Sequence, residues 1–230
     1  MPSTKIPLSE EAYNKIKGLL ISLHFRPGEV LFTQQLANDL NISRTPTREA
    51  LVKLAQEGFL VQTDSRKFQV AYITEASIRD LYNLRKCFEI NAIEEVYPEI
   101  TQKDIRSVEK LNQNMLTALE AGDVDRFFRL DGEFHFYFIR KYGNQLMITF
   151  TNQLMDQQQR IRYITRYINH RMEKTVPEHA QIIDALKENR PELAYEAIKS
   201  HLSQTQEETI SFLNSQEFSF ITPMQAIRIR

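Results

Sequence analysis

Ser43-Arg44-Thr45-Pro46-Thr47-Arg48-Glu49-Ala50-Leu51, followed by Leu54 and Gly58, is the stretch on which the fold turns. Thr45 as N-cap with Pro46 at the first helical position, or Ser43 one step earlier, opens a helix that runs to about Gln56. Gly58 lies just beyond, where a helix ends. Upstream, Leu8, Ala12, Ile16, Leu19, Leu20 and Leu23 recur at helical spacing over residues 8–23, and Arg26-Pro27-Gly28 stops that run. A second short helix over 33–40, with Thr33 as its cap and Leu36 and Leu40 on one face, leads through Asn41-Ile42-Ser43 into the third. Downstream, Phe59-Leu60-Val61 and Phe68 to Tyr72 are β-prone runs around a polar tip at 63–67, the pattern of a small hairpin. Two short helices joined by a tight turn and followed by a ribbon make a winged helix-turn-helix.

What faces out of the third helix carries the functional argument. Ala50, Leu51, Leu54 and Ala55 form its buried stripe, and Arg44, Thr45, Thr47 and Arg48 gather at its N-terminal end, where a recognition helix meets base edges. Arginine offers a bidentate fork to guanine, and threonine a hydrogen bond or a contact with the thymine methyl. Arg66 and Lys67 at the hairpin tip are in position for phosphate or the minor groove. The plainer reading of these charges is a solvated helix end.

From about Thr74 the pattern is helical almost throughout, with helices expected at 75–97, 101–121, 123–142, 144–169, 172–189 and 191–214. Pro98, Gly122-Asp123, Gly143-Asn144, Asn189 and Pro191 punctuate them. The chain is therefore expected to be mainly α: a winged helix-turn-helix over 1–73, an all-α six-helix bundle over 74–216 and a tail at 217–230.

Composition narrows the function. The formal net charge is -1, so a globally basic coat for nucleic acid is excluded while a local patch is not. Residues 1–72 carry nine basic groups against seven acids and the remainder 20 against 23, so the small positive excess coincides with the helix-turn-helix. Six glycines in 230 residues argue against a phosphate-cradling α/β enzyme. A single cysteine, Cys87, allows no intrachain disulfide and suits a reducing cytoplasm. No stretch reaches the ~18 apolar residues of a membrane span and no apolar leader core opens the chain, so a cytoplasmic protein is expected.

The bundle holds a second kind of signal. Asp131 and His135, four apart, point from one helix face, which also carries Phe127, Phe128, Phe134 and Phe138. A carboxylate among phenylalanines is costly unless it is paired or bound to a metal. His179 shares a face with Ile182, Ile183 and Leu186, and His201 with Ala194, Ala197 and Ile198. Each lies 11 residues from Arg190 in the turn between their helices. In an antiparallel pair both stand about 16 Å from that turn, level with each other. An Asp-His₃ cluster becomes feasible, suited to Zn, Ni, Mn or Fe as a divalent ion. Three satisfied core histidines are the alternative. His24, at a helix end, is assigned no role, and His170 is expected at the surface.

Leu36-Ala37, Leu40, the run from Ser43 to Leu51, Leu54 and Gly58-Phe59-Leu60 together resemble the GntR family of bacterial transcription regulators. That resemblance implies that Ser43, Arg44, Thr45 and Arg48 contact operator DNA. Gln34 and Gln35 stand where many members carry an acid or arginine, and the tip lacks the family's usual glycine. Asp131-x-x-Phe134-His135, Glu178-His179 with Ile182-Ile183-x-Ala185-Leu186, and Ala194 to His201-Leu202 resemble the FadR-C-terminal-domain (FCD) class, and six helices its VanR-like branch. The class implies a divalent metal on Asp131, His135, His179 and His201 beneath an effector pocket. Arg85 matches a pocket-facing position and suits a small carboxylate, with an ion pair to Glu89 as the alternative. Arg162 is a second candidate, with a solvated charge as its alternative. The whole reads as a ligand-responsive regulator, a homodimeric repressor on a pseudo-palindromic operator. A metal-dependent hydrolase or isomerase, or a metal sensor, are the rival readings. Against the enzyme, Glu133 falls between two of the ligands but points to another helix face.

Overall fold

The computed structural model describes residues 7–168 and 170–215; the expected tail at 217–230 lies outside them. The chain divides at Thr74 into two compact units.

The first unit contains α1 (Leu8–Ile21), β1 (Val30–Phe32), α2 (Thr33–Leu40), α3 (Arg44–Gln56), β2 (Leu60–Gln62) and β3 (Lys67–Val70). Ile16, Leu20, Leu51, Leu54, Phe59 and Phe68 fill its core. Asn41, in the left-handed region at φ 54°, closes α2 and turns the chain toward α3. Of the two openings expected for α3, Ser43 holds the N-cap position and Pro46 lies inside the first turn. Thr33 is not a cap: it is the first residue of α2, after Phe32, and its Oγ1 donates to the Arg66 carbonyl. The hairpin is also larger than expected. β1 pairs antiparallel with β3, Leu31 opposite Phe68, giving a three-stranded sheet in the order β1-β3-β2.

The second unit contains α4 (Glu75–Val96), α5 (Gln102–Glu120), α6 (Val124–Tyr142), α7 (Gln145–Thr165), α8 (Arg171–Lys187) and α9 (Pro191–Leu213), with a 3-10 turn at Tyr97–Glu99. Local chemistry sets the boundaries. Thr74 with Ser77, and Thr101 with Asp104, form reciprocal caps. Asp123 and Asn144 cap α6 and α7, and Gly143 leaves α6 in the left-handed conformation at φ 75°. α4 packs on α6 and α9, and α8 on α5 and α9, so inner faces of α4, α6, α8 and α9 meet around one buried locus. No described helix is long and apolar enough to cross a membrane.

Candidate functional site

Two sites emerge, of opposite character. In the first unit, Ser43, Arg44, Thr45 and Arg48 are exposed along one end and flank of α3, and Arg66 and Lys67 are exposed at the sheet tip. The two groups are tied together. Arg48 Nε reaches the Ser65 carbonyl at 3.5 Å, and both the amide and the hydroxyl of Thr33 bond the Arg66 carbonyl at 3.1 Å. The start of α3 and the tip, held together through Arg48 and the buried Thr33, thus present Arg44, Arg48, Arg66 and Lys67 on one solvent-facing surface, the shape a helix-turn-helix presents to duplex DNA. Thr47 is a correction. It is 0% exposed, on the same stripe as Ala50, Leu51 and Leu54, and its hydroxyl donates to the Ser43 carbonyl at 2.9 Å. It supports the helix start and offers nothing to a base.

In the second unit, one ligand atom from each of Asp131, His135, His179 and His201 lies within 4.8 Å of the others, and all four residues are buried. α6 contributes Asp131 and His135, α8 His179 and α9 His201, so the level spacing about Arg190 has its counterpart in three dimensions. His135 Nε2 and His201 Nε2 are 3.2 Å apart, and Asp131 Oδ1 lies 3.5 Å from His135 Nε2 and 3.7 Å from His179 Nε2.

The surroundings fix the rings. His135 Nδ1 donates to Glu89 Oε2 and His201 Nδ1 to Glu178 Oε2, each at 2.6 Å. A carboxylate only accepts, so a hydrogen sits on each Nδ1 and both Nε2 atoms face inward. Burial favours the neutral His135 ring, but the Glu89 and Asp131 carboxylates outweigh it and raise its pKa. Burial alone would raise the Glu89 pKa, but the Arg85 guanidinium and the His135 ring outweigh it and hold Glu89 at about 2. Burial likewise works against ionised Asp131, yet Arg162 at 2.9 Å and the neighbouring histidines keep its carboxyl well below the usual range. Burial and the adjoining rings push His179 and His201 well below the ordinary histidine value, so both are neutral donors.

These residues suit a metal ion. His135 Nε2 and His201 Nε2 stand 3.2 Å apart, a spacing that one proton between them satisfies and that two ligands of one cation also have. Two ligands of a tetrahedral ion at ~2.0–2.1 Å stand about 3.3 Å apart. His179 makes the same point, because both of its ring nitrogens are buried without a hydrogen-bond partner.

Arg85 and Arg162 are each only 6% exposed. Arg85 forms the ion pair to Glu89, Nε to Oε1 at 2.8 Å. The solvated alternative for Arg162 is overturned: α7 delivers it into the bundle, against Asp131. Both border a small cavity beside Asp131, His135 and His201, whose water-accessible volume is about 20 Å³, room for one water. Sequence reasoning missed Glu89 and Glu178 as partners of the histidines, and Arg171, whose guanidinium grips Glu178 and reaches Glu208 at 3.3 Å. Glu178 adjoins His179 in sequence yet serves His201, which no spacing rule reveals.

Residues 8–70 match the gntR family of bacterial regulatory proteins, and residues 80–204 match the FCD domain. The chain belongs to the GntR family of transcription regulators, in its FCD class. It is 29% identical to the Nta operon transcriptional regulator of Aminobacter aminovorans over 81% of this chain and 87% of that protein. To the HTH-type transcriptional repressor RspR of Escherichia coli (strain K12) it is 26% identical, over 87% of this chain and 88% of RspR. Among solved structures, E. coli McbR/YncC shares the fold with a TM-score of 0.72 at 21% identity, over 91% of this chain and 100% of that one. The metal-free FCD domain of TM0439 matches with a TM-score of 0.53 at 25% identity, over 62% of this chain and 98% of that one. These relatives are transcription regulators rather than enzymes, and so is this protein.

Proposed function

We propose that this regulator binds a pseudo-palindromic operator as a homodimer and represses transcription until a small carboxylate reaches the second unit. Residues 1–73 act as the DNA-binding domain, with Ser43, Arg44, Thr45 and Arg48 at the major groove and Arg66 and Lys67 at phosphate or the minor groove. A single recognition helix covers only a half-site, so useful affinity calls for two, and operator symmetry mirrors the dimer. Repression is supported by the name of RspR. A cytoplasmic location follows from the DNA-binding role.

Residues 74–216 act as the metal and effector domain. Asp131, His135, His179 and His201 would hold one divalent cation, with Zn, Ni, Mn and Fe all compatible with nitrogen-rich donors and one carboxylate. The observation that carries this reading is the convergence of four buried donors within 4.8 Å, two of their nitrogens only 3.2 Å apart. When bound, the ion supplies a Lewis-acidic centre for an anionic ligand. The charges around it point the same way. Asp131 is matched by Arg162, Glu89 by Arg85 and Glu178 by Arg171, so a divalent ion adds positive charge that a carboxylate effector offsets. Arg85 Nη2 and Arg162 Nε are buried without hydrogen-bond partners, donors ready for that carboxylate. The cavity must widen to admit it, and that widening is the conformational change the effector would stabilise.

The experiment is a fluorescence anisotropy titration of metal-loaded protein into duplexes tiled across the DNA upstream of its own gene. One tile bound ~10³-fold or more above a scrambled duplex near physiological salt is expected. Equal, weak, salt-sensitive binding to every tile would remove the operator claim.

A further inference from the structure

The four donors are not equally supported, and the asymmetry has consequences that rest on the metal reading above. His135 and His201 are each clamped at Nδ1 by a carboxylate that is itself anchored by an arginine: Glu89 by Arg85, Glu178 by Arg171. These chains come from elements other than the one carrying the histidine. Glu89 lies on α4 and serves α6, and Glu178 lies on α8 and serves α9. His179 has no such clamp. Neither of its nitrogens finds a hydrogen-bond partner, and its ring is held flat against Phe134, centroids 3.9 Å apart and planes 8° from parallel. Asp131, the fourth donor, is tethered through its other oxygen by Arg162.

We infer that Glu89 and Glu178 are positioning residues that lock His135 and His201 with Nδ1–H on the carboxylate and Nε2 facing the cation, and that His179 is the unlocked ligand, held by ring packing rather than by a hydrogen bond. Two effects follow. A carboxylate on Nδ1 makes the opposite nitrogen a better donor, so Glu89 and Glu178 set much of the affinity. His179 has the opposite relation to the fold: two buried, unsatisfied nitrogens burden the protein whenever no cation is bound. Its imidazole is there for the ion, and the metal-free fold is better off without it.

The test uses the full chain, metal-free and loaded, in four forms: wild type, Glu89→Gln, Glu178→Gln and His179→Leu. Long-range ¹⁵N–¹H correlation spectra of the metal-free protein report the imidazole tautomers. Competition against a chromophoric chelator reports Zn²⁺ affinity, and thermal unfolding the metal-free Tm. Wild type is expected to show fixed Nδ1–H tautomers for His135 and His201. Glu178→Gln should release that of His201 and Glu89→Gln that of His135, each weakening Zn²⁺ by ~10–100-fold. His179→Leu should abolish tight Zn²⁺ binding while leaving the metal-free Tm equal to or above wild type. Unchanged tautomers and affinity in both Gln variants would overturn the positioning roles. A metal-free Tm lowered by His179→Leu would overturn the unlocked ligand. If wild type took up no Zn²⁺, the metal reading would fall, and the tautomer spectra would still decide whether Glu89 and Glu178 position their histidines.

Discussion

The two functional regions solve opposite problems. The DNA face of the first unit is built on the outside of a finished apolar core: Leu51, Leu54, Phe59 and Phe68 fold the unit, and Arg44 and Arg48 decorate it. In the second unit the candidate functional groups are part of the core. Asp131, His135, His179 and His201 occupy positions that Phe127, Phe134 and Phe138 share, with Glu89, Arg85 and Arg162 buried around them. Removing a group from the first region should therefore change binding and leave folding intact. In the second, the same operation should change both wherever it strands a buried charged partner, as at Asp131 or Glu89, and His179, whose nitrogens have no hydrogen-bond partner, is the exception. A polar residue at a surface costs little to keep, whereas in a core every partner becomes necessary.

The sharpest way to break this contrast is Asp131→Ala. It removes a donor and strands Arg162, whose pairing at 2.9 Å is then lost. Loss of one member of a buried pair typically costs ~3–5 kcal/mol, so the denaturant midpoint should fall steeply along with metal affinity. A midpoint unchanged from wild type would mean that Arg162 finds solvent and the region is not a core.

Acid should act in the same place. The Glu89 pKa is about 2 against an ordinary 4.5. Because the folded value is the lower one, the stabilisation is complete above the ordinary value and is lost as pH falls from about 4.5 toward 2. Stability followed by urea unfolding should decline across that window, and Glu89→Gln should flatten the slope. Asp131, also lowered, adds to the loss in the same direction.

On the exposed side, Arg44→Ala and Arg48→Ala should each weaken operator binding by about 1–3 kcal/mol in an anisotropy titration. Their unfolding midpoints should stay within about 0.5 kcal/mol of wild type. The smallest effect belongs to Thr47→Val, which tests the correction made by the structure. Operator affinity should hold, and the lost hydrogen bond to the Ser43 carbonyl should cost about 1 kcal/mol of stability. A drop in affinity as large as that of Arg44→Ala would return Thr47 to the DNA face.

How much was legible in the sequence follows from range. The recognition helix could be read because its caps, stripe and exposed end are all local. Thr47 was readable too, since it precedes Ala50, Leu51 and Leu54 by three, four and seven residues and so shares their face. The four residues of the buried Asp-His₃ cluster could be read because each lies on an apolar face and two are equidistant from one turn. β1 could not, as three residues carry no period and exist as a strand only through β3. Arg162 could not either. Its burial depends on Asp131, 31 positions earlier, and on Gly132 beside it, where a Cβ would stand 3.0 Å from Arg162 Nη1. A glycine in mid-helix was the signal that a neighbour crosses there closely.

The central claim is that the buried cluster is a metal site and not a set of satisfied core histidines. Its most direct test is elemental analysis by mass spectrometry of the full chain after loading with a divalent cation and desalting, alongside His179→Leu. The account predicts close to one ion per chain in wild type and close to none in the variant. Equal, near-zero content in both would contradict it.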